Sequence, residues 1–144
     1  MQFVCDAPGR KAWFRIETEA EALAESETMR HAVEKYFRRE HAAALRTYRP
    51  SPSASSIERD IGLAAHVQRT MPLFLTLREH DGTPLATAML PPGGRADEGF
   101  RAIIVGPANS DAFATQEDAI AALAAHFGVT LTRALCYPYH NDGV

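Results

Sequence analysis

The sequence predicts an α+β fold: a mostly antiparallel sheet of about six strands with helices packed on it. Three observations carry that expectation. The hydrophobic period is two near both ends and again in the middle of the chain, and it lengthens to a helical period between them. Asp81-Gly82 separates two alternating apolar runs, the signature of a tight hairpin. Thr18 with Glu21, and Ser55 with Glu58, have the reciprocal spacing of a helix capping box.

Taken in order, "MQFVCDAPGRKAWFRIET" reads as two short strands around a Pro-Gly turn, with Trp13, Phe14 and Ile16 as strand-favouring side chains. Helix follows from Thr18, as one long element to Tyr48 or as two pieces meeting near Ser26. "RPSPSASS" breaks it with prolines and serines. A helix from Ser55 to about Arg69 stops before Pro72. The hairpin then alternates Leu73, Leu75 and Leu77 before the turn with Leu85, Thr87 and Met89 after it. "PPGGRADEG" is read as a mobile connection, and "FRAIIVG" as a short strand buried on both faces. Thr115 is the expected cap of the next helix and Gly128 its end. "VTLTRALCY" is the expected last strand. The order is ββ-α(α)-α-βββ-α-β, one domain over residues 1–144.

Composition narrows the function classes. The net charge is −3, far from the basic surplus of a bulk nucleic-acid binder, so no specific nucleic acid is expected. No stretch is apolar enough for a bilayer span, and the first residues carry no signal-peptide pattern, so the expected location is the cytoplasm with reduced Cys5 and Cys136. Arginine exceeds lysine and alanine is abundant, a bias of bacterial type. There is no CxxC, HExxH, P-loop or GxSxG. No metal and no cofactor are assigned; most histidines are placed at the surface or its boundary, and His31 toward the solvent side of its helix.

Two places stand out for chemistry. Angular placement on the first long helix puts Glu40 in the same arc as Met29, Val33, Tyr36, Phe37 and Ala44. A carboxylate facing a core must find a partner or protonate, which makes Glu40 a candidate acid–base group, with a structural ion pair or a solvated edge as the plainer alternative. At the other end, "CYPYH" gathers Tyr137, Tyr139 and His140 around Pro138, polar-tipped rings suited to a pocket rim or to simple strand termination. Tyr36, Glu40, Tyr137, Tyr139 and His140 are therefore the candidate ligand-binding residues. The outer face of the last helix, Ala121, Ala122 and Ala125, suits a bare helix surface or a homodimer contact.

The order of helices, three strands, helix and strand resembles that of the CoA-dependent N-acetyltransferases. That family holds the CoA pyrophosphate on the amides of a Gln/Arg-x-x-Gly-x-Gly/Ala loop before the corresponding helix. The matching stretch here, "VGPANSDAFATQED", lacks that glycine pattern. The resemblance implies an acyltransferase-like enzyme acting on a small molecule. The residues themselves favour a non-catalytic binding, regulatory or accessory protein, with a homodimer or a small ligand as partner and no membrane.

Overall fold

The computed structural model describes residues 1–95 and 102–139. Its strands are β1 (Gln2–Ala7), β2 (Lys11–Arg15), β3 (Leu73–Glu79), β4 (Pro84–Leu90), β5 (Ala102–Val105) and β6 (Cys136–Tyr137). Its helices are α1 (Glu19–Met29), α2 (Val33–Thr47), α3 (Ser56–Thr70) and α4 (Ala112–Phe127). The strands form one sheet in sequence order, antiparallel throughout except for the parallel β5–β6 pair. The expected α+β class and element order are therefore those of the folded chain.

Both capping boxes form, at Thr18–Glu21 and at Ser55–Glu58. Gly82 takes a positive φ of 92° in the β3–β4 turn, where a side chain would be strained. The first helical stretch is two helices. Arg30 turns left-handed after α1 (φ 57°, ψ 52°), and α2 begins at Val33.

The helices cover both faces of the sheet. Strand side chains alternate, so Leu73, Leu75 and Leu77 point one way and Phe74 and Thr76 the other. The first set joins Trp13, Ala86, Ala88, Leu90, Ile104, Ile120 and Leu123 in a core closed by α4. Phe74 joins Ile16, Ala22, Phe37, Ala44 and Met71 beneath α1 and α2. β3 is therefore buried on both faces along its first five residues, a consequence of being sandwiched rather than half-solvated. α3 lies at the margin, where none of its residues is buried, and Ile57 and Ile61 are 70% and 66% exposed.

Two expectations are corrected. The last strand is only Cys136–Tyr137, because Arg133–Leu135 form a single 3-10 turn and β5, four residues long, offers β6 just the positions Ala102 and Ile103. α4 begins at Ala112 and not at Thr115, since Asp111 caps it through the Phe113 and Ala114 amides. The Thr115 signal marks a break inside the helix at Gln116 (φ −130°, ψ 31°). Gly128 ends α4 in the left-handed conformation, as its position predicts.

Candidate functional site

The cleft with the most distinctive chemistry lies where the sheet changes from antiparallel to parallel. β4 carries β5 along Thr87, Ala88 and Met89, but β6 accompanies β5 only at Ala102 and Ile103 and then turns, with Tyr139 N–H bonded back to the Cys136 carbonyl. Among the described residues, Ile104 and Val105 have a strand partner on the β4 side only. The gap is a cavity of about 310 Å³. Its floor is Phe74, Ala88, Met89, Ile103 and Val105; its walls are Tyr137 and Pro138 on one side, and His31, Ala32, Val33 and Tyr36 at the start of α2 on the other. Thr87 and Asn109 complete it. An apolar crevice with a few convergent polar groups is where small ligands commonly bind.

The polar groups are organised from behind. Glu25 sits on the buried face of α1 with Ala22, Ser26 and Met29, the one-sided spacing of a packed helix. Its side chain is 0% exposed. One carboxylate oxygen accepts from Arg78 Nη2 at 2.8 Å and the other from Thr87 Oγ1 at 2.6 Å. Thr87 Oγ1 lies 2.8 Å from His31 Nε2. Arg78 is itself anchored, donating to Thr76 Oγ1 and to the Gly82 carbonyl, each at 3.1 Å. Strand register explains the set: Thr76 faces Thr87 across β3 and β4, on the side of the sheet that α1 covers. The result is a continuous Arg78–Glu25–Thr87–His31 chain that ends on the wall of the cleft. Burial pushes the His31 imidazole below its usual range, against the opposing pull of Glu25 and Glu34, and so favours the neutral ring.

The sequence candidates separate. Tyr36 and Tyr137 line the cleft, Tyr36 with the Arg39 guanidinium 5.1 Å from its ring centre. Glu40 does not reach it: its side chain is 29% exposed and pairs loosely with adjacent Arg39 at 3.5 Å. Tyr139 is buried, its hydroxyl accepting from the Ala112 amide at 3.1 Å and donating to the Ser110 carbonyl at 3.2 Å. It braces the start of α4, which is a structural position. His140 lies outside the described residues, as does the end of "PPGGRADEG". His31 corrects its expected surface placement, because α1 and α2 are separate helices and their junction swings it over Thr87.

The start of α4 offers no open amide cradle. Asp111 takes the Phe113 and Ala114 amides, Tyr139 takes that of Ala112, and Asp111 is ion-paired with Arg133. A carboxylate therefore stands where an anion would sit at a helix start. Cys136 is fully buried and its thiol is pushed up to about 11 by that burial, the behaviour of a small apolar side chain and not of a nucleophile. Among the described residues no group of three or more His, Cys, Asp or Glu side chains could hold a metal ion.

A second hollow of about 520 Å³ lies between α2 and α3, over Phe37, Leu45, Leu63 and Val67, with Arg15, Glu17 and Asp60 around it. Neither Glu25 nor Thr87 reaches it. No protein-family model, curated protein or solved structure matches this chain.

Proposed function

We propose that the protein binds a small, uncharged organic molecule with an apolar body in the β5–β6 cleft, and serves as a binding or regulatory protein through that ligand. One observation carries this reading: a half-buried imidazole, oriented by a fully buried carboxylate through a single hydroxyl, stands among a few polar groups in a largely apolar cavity. Orienting one polar group this firmly suits recognition, since a pre-organised site loses less entropy on binding. Among the described residues, none that lines the cleft carries a formal charge when His31 is neutral, which disfavours an ionic ligand.

The test is a thermal-shift screen with neutral amphiphiles, CoA and acetyl-CoA, run beside a Val33→Trp variant that fills the cleft mouth. A ligand at about a hundred times its dissociation constant adds roughly 2.7 kcal/mol. For a domain of this size that is a rise of several degrees. The rise is expected for the wild type and not for Val33→Trp. Equal shifts in both place the ligand elsewhere and remove the reading.

Acyl transfer is the second reading. Its support is the parallel β5–α4–β6 crossover after three antiparallel strands, together with a neutral imidazole suited to accept a proton. CoA would need a different phosphate seat from the start of α4. A CoA-specific shift together with acetyl-CoA turnover favours this reading; a shift with the neutral panel alone favours the first.

A further inference from the structure

We infer that Glu25, acting through Thr87, locks His31 as the tautomer protonated on Nε2, so that Nδ1 is a hydrogen-bond acceptor and the cleft selects ligands that donate. The ligand preference rests on the small-molecule reading above; the tautomer does not.

Proton counting gives the assignment. Glu25 is ion-paired with Arg78 at 2.8 Å and, as a carboxylate, only accepts. Thr87 Oγ1, 2.6 Å from the second oxygen, must then spend its one hydrogen on Glu25. Nε2 of His31, 2.8 Å from that same Oγ1, has to be the donor in its contact. A neutral ring with its hydrogen on Nε2 carries its lone pair on Nδ1. A contact to Nδ1 agrees: the Val33 amide donates toward it, at a long 3.4 Å. That amide is the first of α2, an orphan donor that water or ligand can also satisfy. Val33 and Ala32, beside Nδ1, both line the cleft. Burial lowers the imidazole pKa, against the opposing pull of Glu25, its own backbone and Glu34, and so favours the neutral ring.

The charged groups around His31 fit the same account. Glu25 of α1 is engaged by Arg78 and Thr87, and Glu34 of α2 takes the Ser26 hydroxyl. Both carboxylates are thus engaged elsewhere, and a ligand hydroxyl, amide N–H or neutral amine that displaces the long Val33 contact can donate to Nδ1. An aldehyde, ester or carboxylate would set lone pair against lone pair.

Nitrogen-15 NMR of the labelled full chain tests this. The expected wild-type state is His31 protonated on Nε2. Glu25→Gln should reverse it. Its carbonyl oxygen would stay on Arg78, its NH2 would donate to Thr87, and the threonine hydrogen would pass to Nε2. Thr87→Val should leave a mixture of tautomers, and Thr87→Ser should restore the wild-type state. A wild-type ring protonated on Nδ1, or a Thr87→Val spectrum identical to wild type, overturns the assignment. Benzyl alcohol and benzaldehyde, added separately, share a body and differ in the donor. Benzyl alcohol is expected to shift the Nδ1 resonance at least several-fold more. Equal shifts overturn the donor preference. If neither probe moves a cleft resonance, the ligand reading and the donor preference fall together, while the tautomer is decided by the unliganded spectra.

Discussion

The two faces of the sheet are built on different principles. Under α4 the contacts are apolar and continuous, from Trp13 through Leu75, Leu77 and Ile104 to Leu123, and the Trp13 indole N–H finds the Ala119 carbonyl at 2.8 Å. Under α1 and α2 a smaller apolar cluster shares its face with a buried ion pair and two threonines, and it opens into a cleft. Apolar packing is tolerant and strongly stabilising. A buried charge network is costly to assemble and fails when one member is missing. The difference teaches that the α4 side holds the fold while the α1 side holds a constellation, and it can be broken one face at a time.

The largest expected loss is on the apolar face. Trp13→Ala removes a fully buried indole and its hydrogen bond to the Ala119 carbonyl. It should cost about 3–5 kcal/mol. Denaturant unfolding measures it, and a loss below about 1 kcal/mol would mean that α4 does not close this core as described.

Arg78→Met tests the other face. It leaves the Glu25 carboxylate, 0% exposed, without its cation. Breaking a buried pair costs about 3–5 kcal/mol, and Arg78, itself 18% exposed, places the loss toward the lower end because water reaches its site. The sharper result is the double variant Glu25→Met/Arg78→Met. With the charge gone from both sides, most of the lost stability should return, although the His31 orientation should not. A double variant as unstable as the single one would show that the pair contributes to stability in its own right.

Local chemistry explains what could be read in advance. The two capping boxes, the Asp81-Gly82 turn and Gly128 are decided within a few residues, so their signals are complete in the sequence. β6 was overread because strand length is set by the partner: four residues of β5 cannot pair with nine of "VTLTRALCY". The site was only half legible. Tyr36 is legible as a member of the inward arc of its helix, and Tyr137 as a polar-tipped ring at a strand end. Glu25 was missed because treating α1 and α2 as one long helix centred the inward arc on Glu40. Split at Arg30, α1 alone shows Ala22, Glu25, Ser26 and Met29 on one face, with the carboxylate in it. Thr87 also left a trace, as the polar member of an inward-facing strand set. Its link to His31, 56 residues away in sequence, exists only after folding.

The smallest expected effect is a pH dependence confined to the cleft face. Burial lowers the His31 pKa in the folded chain relative to an unfolded imidazole, which titrates near ~6.5. The unfolded state therefore takes up its proton first as pH falls. Stability from the neutral ring is complete above that unfolded value and is lost progressively as pH drops through it toward the folded one. The carboxylates held below their usual range, Glu21, Glu34, Asp81 and Asp111, lose their contribution in a lower window, below about 4.5. The two windows can therefore be separated. His31→Gln should flatten the stability curve between about pH 7 and 5. It should leave the acid limb intact, and it should not change the dependence of Trp13→Ala relative to wild type. An unaltered slope in His31→Gln would mean that His31 reaches water as freely in the folded chain as in the unfolded one, and the cleft would then lack the partly desolvated imidazole on which the proposed recognition rests.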